Sequence, residues 1–262
     1  MNLVVLVKQV PETTDVRIDR KTNTLIREGV SSIVNPFDMY AVEQALRIRD
    51  EHGGQVTCIS MGPPQAEAAL RETLAVGADE AILLSDKAFA GADTLATSYT
   101  LAKAILKLGD FDLVICGKQA IDGDTAQVGP GVAEHLDIPH VTYVSRVEEI
   151  SNRHIRVRRM TEEGYDVIFS PLPALITVVK EIGEPRMPSI KGTLKARKAQ
   201  ITTWTANDLE ANELMLGLSG SPTQVSRIFS PEIRPGGEII KGDSASEKAR
   251  NLLVRLKESH LF

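Results

Sequence analysis

Cysteine is scarce in this chain: Cys58 and Cys116 are the two among 262 residues. Each sits inside an apolar run with no second cysteine or histidine at ligand spacing, which argues against a disulfide framework and a metal centre and for two buried, reduced thiols. The histidines, His52, His135, His140, His154 and His260, are scattered and read as structural. No apolar run approaches the ~18 residues that a membrane span needs. The opening "MNLVVLVKQV" has neither a basic leader nor a small-residue cleavage site, so it reads as a strand, and a cytoplasmic location is expected. Positive charge is not in excess, since the formal charge is −5 and the pI near 5.6; nucleic acid and anionic membrane are therefore poor candidates for the main partner. Two phosphate fingerprints are also missing. There is no G-x-G-x-x-G after the first strand and no G-x-x-x-x-G-K-[ST] anywhere, which argues against an NAD-type Rossmann motif and a P-loop NTPase.

What the chain does have is 42% hydrophobic and 25% charged residues, enough for one large core, or one core with an appended segment. Apolar runs of strand length alternate with segments of helical period. The strands are read at 3–8, 55–61, 80–85, 112–117 and 141–150, and the first four are nearly continuous in Val, Ile and Leu, as strands covered on both faces must be. Helices are expected at 37–51, 64–76, 93–108 and 124–136, with Pro36 and Pro63–Pro64 at two starts and Gly53, Gly77 and Gly109 at the stops. This order predicts an α/β fold with a doubly wound, mostly parallel sheet.

After about residue 150 the pattern changes. "HIRVRRM" and "YDVIFS", joined by "TEEG", predict an antiparallel hairpin, and "PALITVV" (173–179) another buried strand. The stretch 183–200 has two prolines, two glycines and five Lys or Arg without a clear period, and reads as an exposed basic loop. Residues 201–243, with Trp204, read as an extended arm. A closing helix over 244–259 places Leu252, Leu253 and Leu256 on one face. The expected division is 1–183 as a nucleotide-binding domain, 184–200 as a loop and 201–262 as an arm with too little core to stand alone.

In open parallel sheets, ligands sit where the loops leave the carboxyl ends of the strands. Here those loops are "KQVPETTD", "MGPP", "SDKAFAGADTLATS" and "GKQAIDGDTAQVGP" (117–130), rich in glycine, hydroxyl and amide. Small residues let backbone amides approach an anion, and a helix starting at Asp124 or Thr125 would offer free N–H groups to phosphate. Gly123 and Asp124 alone would signify only a turn and a cap, but "GADT" (91–94) repeats the same chemistry one strand away and favours a nucleotide. Asn35 before Pro36 is explained by capping alone.

"VKQVP" (7–11), "NPFDMYAVEQAL" (35–46), "GADEAILLSD" (77–86), "GKQAIDGDTAQVGP" and "PSIKGTLKARK" (188–198), in this order and spacing, closely resemble the beta subunit of electron transfer flavoproteins over nearly the full length. The resemblance implies a heterodimer with an FAD-bearing alpha subunit and a C-terminal arm that embraces it. It also implies an adenine nucleotide in this chain: a structural AMP in ordinary members, or a second FAD in members that bifurcate electrons. In the latter, NADH is the hydride donor, and ferredoxin or flavodoxin and an acyl-CoA dehydrogenase-type partner are the acceptors. Mitochondrial-type members carry larger or more acidic residues in place of "GDTAQ" and lack "AGADTLATS". This chain keeps both and so resembles the bifurcating branch.

By matching positions, Lys8, Asn35, Asp38 and Met61 are expected to line the adenosine or flavin end. Gly117, Gln119, Asp122, Gly123, Thr125, Gln127, Val128 and Gly129 would wrap the diphosphate and ribose. Asp93, Thr94 and Thr97 would be used fully only by FAD, with Ser98 nearby. No general acid or base is implied, because the redox chemistry belongs to the cofactor. The stretch 184–199 resembles the family's recognition loop, with Ile190 as its apolar anchor and Leu194, Arg186, Lys191, Lys195, Arg197 and Lys198 around it. Taken alone, such a charge run is a solvated surface. Two other readings are a non-bifurcating carrier that holds a structural AMP, and an independent nucleotide-binding module of the universal-stress type; residues 184–243 speak against the second.

Overall fold

The computed structural model describes residues 1–12, 18–19, 24–25, 32–151, 153–226 and 236–262. They fall into two compact units, Met1–Ser226 and Arg227–Phe262.

The first unit runs β1 (Asn2–Leu6), β2 (Gln9–Pro11), β3 (Ile18–Asp19), β4 (Thr24–Leu25), β5 (Ser32–Val34), α1 (Pro36–His52), β6 (Gln55–Met61), α2 (Glu67–Val76), β7 (Glu80–Leu84), α3 (Thr94–Leu108), β8 (Leu113–Gly117), α4 (Val128–Leu136), β9 (His140–Ile150), β10 (His154–Met160), β11 (Tyr165–Pro171), β12 (Ala174–Val178), α5 (Ile190–Lys198) and β13 (Thr202–Trp204). A nine-stranded sheet in the order β11-β10-β9-β12-β8-β1-β6-β7-β13 organises it. Neighbours from β9 to β13 are parallel, and β10 and β11 extend the β9 edge antiparallel.

Alternation along each strand builds two cores from one apolar run. Leu3 and Val5 of β1, with Leu113 and Ile115 of β8, face α1, α2 and α5 through Ala41, Val42, Leu70 and Ala196. Val4 and Leu6, with Val114 and Cys116, face α3 and α4 through Leu101, Ile105, Val132 and Ala133. This is the doubly wound α/β arrangement the sequence predicts, and it is why β1 from Leu3 onward and β8 are apolar on both faces. Gly53, Gly77 and Gly109 stand at the C-caps of α1, α2 and α3, each with positive φ, where a side chain would strain the backbone. Both cysteines are buried.

Three differences from the sequence reading concern the site. First, α4 begins at Val128, with Gln127 as its N-cap and no side-chain cap bond. No helix starts at Asp124 or Thr125, because Asp124 and Ala126 both hold positive φ, at 54° each, and interrupt the helical backbone. Second, residues 190–198 are helical rather than a loop. Ser189 caps this helix by accepting from Gly192 N at 3.0 Å, and the basic residues of its last turn suit the negative end of the dipole. Third, residues 202–204 are not an extended arm: β13 pairs in parallel with β7, Thr202 opposite Ile82 and Trp204 opposite Leu84. Ala206, Leu209 and Leu216 beyond it are buried in the core on the α3 side, so the boundary between units falls after Ser226, where the sequence reading began the arm at 201.

The second unit holds α6 (Ala245–Glu258), capped by Ser244, which accepts from Glu247 N at 3.2 Å. Arg255 pairs with Glu238 at 2.9 Å and Glu258 at 3.1 Å. Leu252 and Leu253 are exposed on it. Among the described residues no helix is long and apolar enough to cross a membrane.

Candidate functional site

The chain order reverses between β1 and β8. The segment after β1 turns into α1 on one face, and the segment after β8 leads to α4 on the other, so a crevice opens at their carboxyl ends. Such a switch point is where open α/β sheets bind ligands. The sequence-predicted residues gather here. Lys8 Nζ donates to both oxygens of Asp122, at 2.7 and 2.8 Å. This pair is half exposed and adds little stability, but it ties the loop after β1 to the loop after β8.

Asn35 does not cap α1, where its side chain makes no cap bond. The side chain is fully buried and braces the loop after β8: Nδ2 donates to Gln119 O at 2.9 Å, and Oδ1 accepts from Ile121 N at 3.2 Å. Pro36 at the first helical position initiates the helix without it. Asp38, in the first turn of α1, accepts from Lys8 N at 2.8 Å and Gly117 N at 3.2 Å. Burial pushes its carboxyl up to about 7, against the bonds from Asn35, Lys8 and Gly117. Gln119 Nε2 donates to Asp124 Oδ1 and rounds the loop.

From Ile121 to Thr125 the loop is exposed, and nothing lies within 4 Å of a Cβ built on Gly123. Its two ends are closed. A Cβ on Gly117 would lie 2.5 Å from Asp38 Oδ1, and one on Gly129 2.7 Å from Thr177 Cγ2. The loop is therefore pinned at both ends and exposed between them, a shape that suits a phosphate and sugar chain. Met61, half buried, ends β6, one strand beyond β1.

A second group lies at the start of α3. Thr94 Oγ1 donates to Gln127 Oε1 at 3.0 Å, so the loop after β7 meets the loop after β8. Ser98 Oγ donates to Thr94 O at 2.6 Å; it is not free for a ligand. Asp93 is engaged too. One oxygen accepts from Leu95 N and Ala96 N, the other from Thr223 N at 3.1 Å and Thr223 Oγ1 at 2.8 Å, and Ser221 Oγ accepts from Asp93 N. Burial pushes this carboxyl up, but those bonds together hold it below the usual range. Asp93 is thus an N-cap and a clasp for residues 221–223, a role with no signal at 91–94 because its partners lie over a hundred residues away. Asp93→Ala is expected to cost about 1–2 kcal/mol and to speed amide hydrogen exchange at Ser221 and Thr223 selectively; uniform exchange would contradict the clasp.

The surface of α5 is separate. Ile190 is 84% exposed, Leu194 54% and, missed in the sequence, Met187 86%. Lys191, Lys195 and Lys198 are exposed at spacings that share a helix face. Arg186 points the other way. Its Nε donates to Glu43 Oε2 at 2.8 Å and its Nη1 to Asp50 Oδ2 at 2.9 Å, so it anchors the segment to α1. Burial raises the Glu43 carboxyl, but bonds from Arg186 and Arg47 outweigh it and hold the group below its usual value. Arg71 on α2, oriented by Glu67, donates to the carbonyls of Ala196, Arg197 and Ala199 at the C-terminus of α5.

A reversing parallel sheet with glycine-hinged polar loops at its switch point defines a doubly wound, Rossmann-like α/β protein. Comparison with known proteins narrows this. A family profile described as "Electron transfer flavoprotein domain" matches residues 22–209. The chain is 55% identical over 263 residues to the "Electron transfer flavoprotein subunit beta" of Thermoanaerobacterium thermosaccharolyticum, covering 100% of both. It is 52% identical over 263 residues to the "Caffeyl-CoA reductase-Etf complex subunit CarD" of Acetobacterium woodii, again covering 100% of both. It is 46% identical over 241 residues to "Protein FixA" of Azorhizobium caulinodans, covering 89% of this chain and 86% of that one. The chain belongs to the electron transfer flavoprotein family, in its beta-subunit branch. Electron transfer, an associated flavin or adenine nucleotide and an alpha-subunit partner follow from that membership.

Proposed function

We infer that this chain is the beta subunit of an NADH-dependent, electron-bifurcating flavoprotein, which holds FAD at the switch point. It passes electrons to ferredoxin or flavodoxin and, through the alpha-subunit FAD, to an acyl-CoA dehydrogenase-type partner. The observation that carries this reading is the junction of the two loops at Thr94 and Gln127. It brings the start of α3 into the same loop cluster as the Lys8–Asp122 pair, a spread of polar groups that suits a dinucleotide. The similarity to a subunit named for a caffeyl-CoA reductase complex supports a reductase as acceptor.

In this reading Gly123 and Thr125 hold the diphosphate by close backbone approach, Gly117 and Gly129 pin the two ends of the loop that does so, and Gln127, Thr94 and Thr97 hold the ribityl side. Asn35 and Asp38 set the loop rather than touch the ligand. Bound there, FAD supplies the hydride and single-electron chemistry that no side chain of the groove performs. Residues 187–198 present Ile190, Leu194 and the lysine row to the reductase, and α6 with its exposed leucines lies on the alpha subunit. A cytoplasmic site of action fits these partners.

A structural AMP is the second reading, and one observation favours it: Asp93, matched to FAD-only contacts, has both oxygens taken by its own chain. Quantifying nucleotides released from the denatured heterodimer decides between them. Two FAD and no AMP are expected; one of each would make this a non-bifurcating carrier.

A further inference from the structure

The crevice between β1 and β8 is bridged by one carboxylate. Asp38 stands on α1, yet its two oxygens reach backbone N–H groups on both sides of the switch point, Lys8 N after β1 and Gly117 N at the end of β8. Gly117 is where the nucleotide loop begins, and no side chain fits there, because a Cβ would meet Asp38 Oδ1 and the Phe37 backbone within 2.7 Å. Asp38 is 6% exposed, and each oxygen is already occupied by the chain. We propose that Asp38 is a positioning residue, whose ionised carboxylate holds the first amide of the nucleotide loop in its binding geometry and releases it when protonated. The inference rests on the reading of the switch point as the nucleotide site.

The chemistry of the bridge explains why ionisation matters. A carboxylate accepts strongly from both N–H groups; a carboxylic acid keeps a good acceptor only on its carbonyl oxygen, its hydroxyl oxygen being a weak one. The contact to Gly117 is the longer, so that is the one protonation gives up. Charged and titratable groups around Asp38 come from four places. Lys8, after β1, is paired with Asp122 of the loop. Lys118 lies over the Phe37 ring, 5.0 Å from its centroid. Cys58 on β6 and Cys116 on β8 both feel the Asp38 charge. Burial pushes the Cys58 thiol up to about 12 and the Cys116 thiol higher still, so neither ionises near neutrality. Asp38, raised to about 7, titrates there.

The test is the affinity of the full-length chain for FAD between pH 5.5 and 8.5, read by quenching of flavin fluorescence. FAD is the probe because its diphosphate keeps its charge over this range, whereas the phosphate of AMP does not. The wild-type dissociation constant is expected to be flat above about pH 7 and to rise by about tenfold per pH unit below it. Asp38→Asn carries one acceptor and one donor, as the protonated acid does, and is expected to bind at the weak, acid-side level at every pH. A wild-type profile without a slope overturns the proposal, even if the variant does not fold. So does a variant that keeps the wild-type slope. Absence of FAD binding at any pH overturns the reading of the switch point and the inference together, whereas pH-independent binding leaves that reading standing and removes Asp38 alone.

Discussion

Gly117→Ala is expected to cost about 3 kcal/mol of stability and to abolish nucleotide retention, while Gly123→Ala in the same loop is expected to change stability by less than about 0.5 kcal/mol. The contrast follows from what each added Cβ would meet. At Gly117 it meets Asp38 Oδ1 at 2.5 Å, Phe37 Cβ at 2.6 Å and the Phe37 carbonyl carbon at 2.7 Å. One of these is backbone of α1, so relief requires the helix to move away from β8, against the core that Ala41, Val42 and Ala45 make. At Gly123 there is nothing within 4 Å. Urea denaturation of the two variants measures the difference; similar midpoints would mean that α1 yields easily and that the seat at Gly117 is soft.

The second large effect concerns docking. Ile190→Asp is expected to raise the KM for the proposed partner reductase by at least about tenfold, the effect of losing a central apolar anchor, with unchanged thermal stability, since Ile190 is 84% exposed. Glu43→Ala is expected to raise that KM and also to cost about 2 kcal/mol, a figure set below that of a fully buried pair because Arg186 is 34% exposed. Glu43 is held below its unfolded value, so its contribution is present above the ordinary carboxylate range and is lost as the pH falls through its folded pKa. The deficit of the variant should therefore shrink in acid. If Glu43→Ala left docking intact, residues 187–198 would hold their orientation without the anchor to α1.

Much of this architecture was legible in the sequence. β1, β6, β7 and β8 are apolar on both faces, and that burial is a local property of composition. The hairpin β10–β11 alternates, as a half-exposed ribbon must. The elements that were not legible depend on distant partners. β13 is three residues long and carries two threonines, and nothing but β7 makes it a strand. The helix of 190–198 has little apolar period, because its stability comes from a serine cap, the α2 surface and Arg71 at its end. The β2–β5 pairing is likewise a contact between short segments. At the site, residue types singled out loops that meet at the switch point, but several of their side chains serve backbone. Asn35 resembled a cap and is a brace. Asp93 resembled a ligand and is a clasp. Arg186 resembled a docking charge and is an anchor.

β13 has a consequence for how the protein is made. The outer edge of β7 is complete only after residue 204 has been synthesised, more than a hundred residues after β7 itself. A nascent chain that stops short of it presents Ile82 to Leu84 as an open parallel edge, able to recruit another strand. Fragments ending before residue 202 should therefore self-associate, and those ending beyond Leu216 should not. The order of synthesis closes this edge late, after β1, β6, β8, β9 and β12 have all been made.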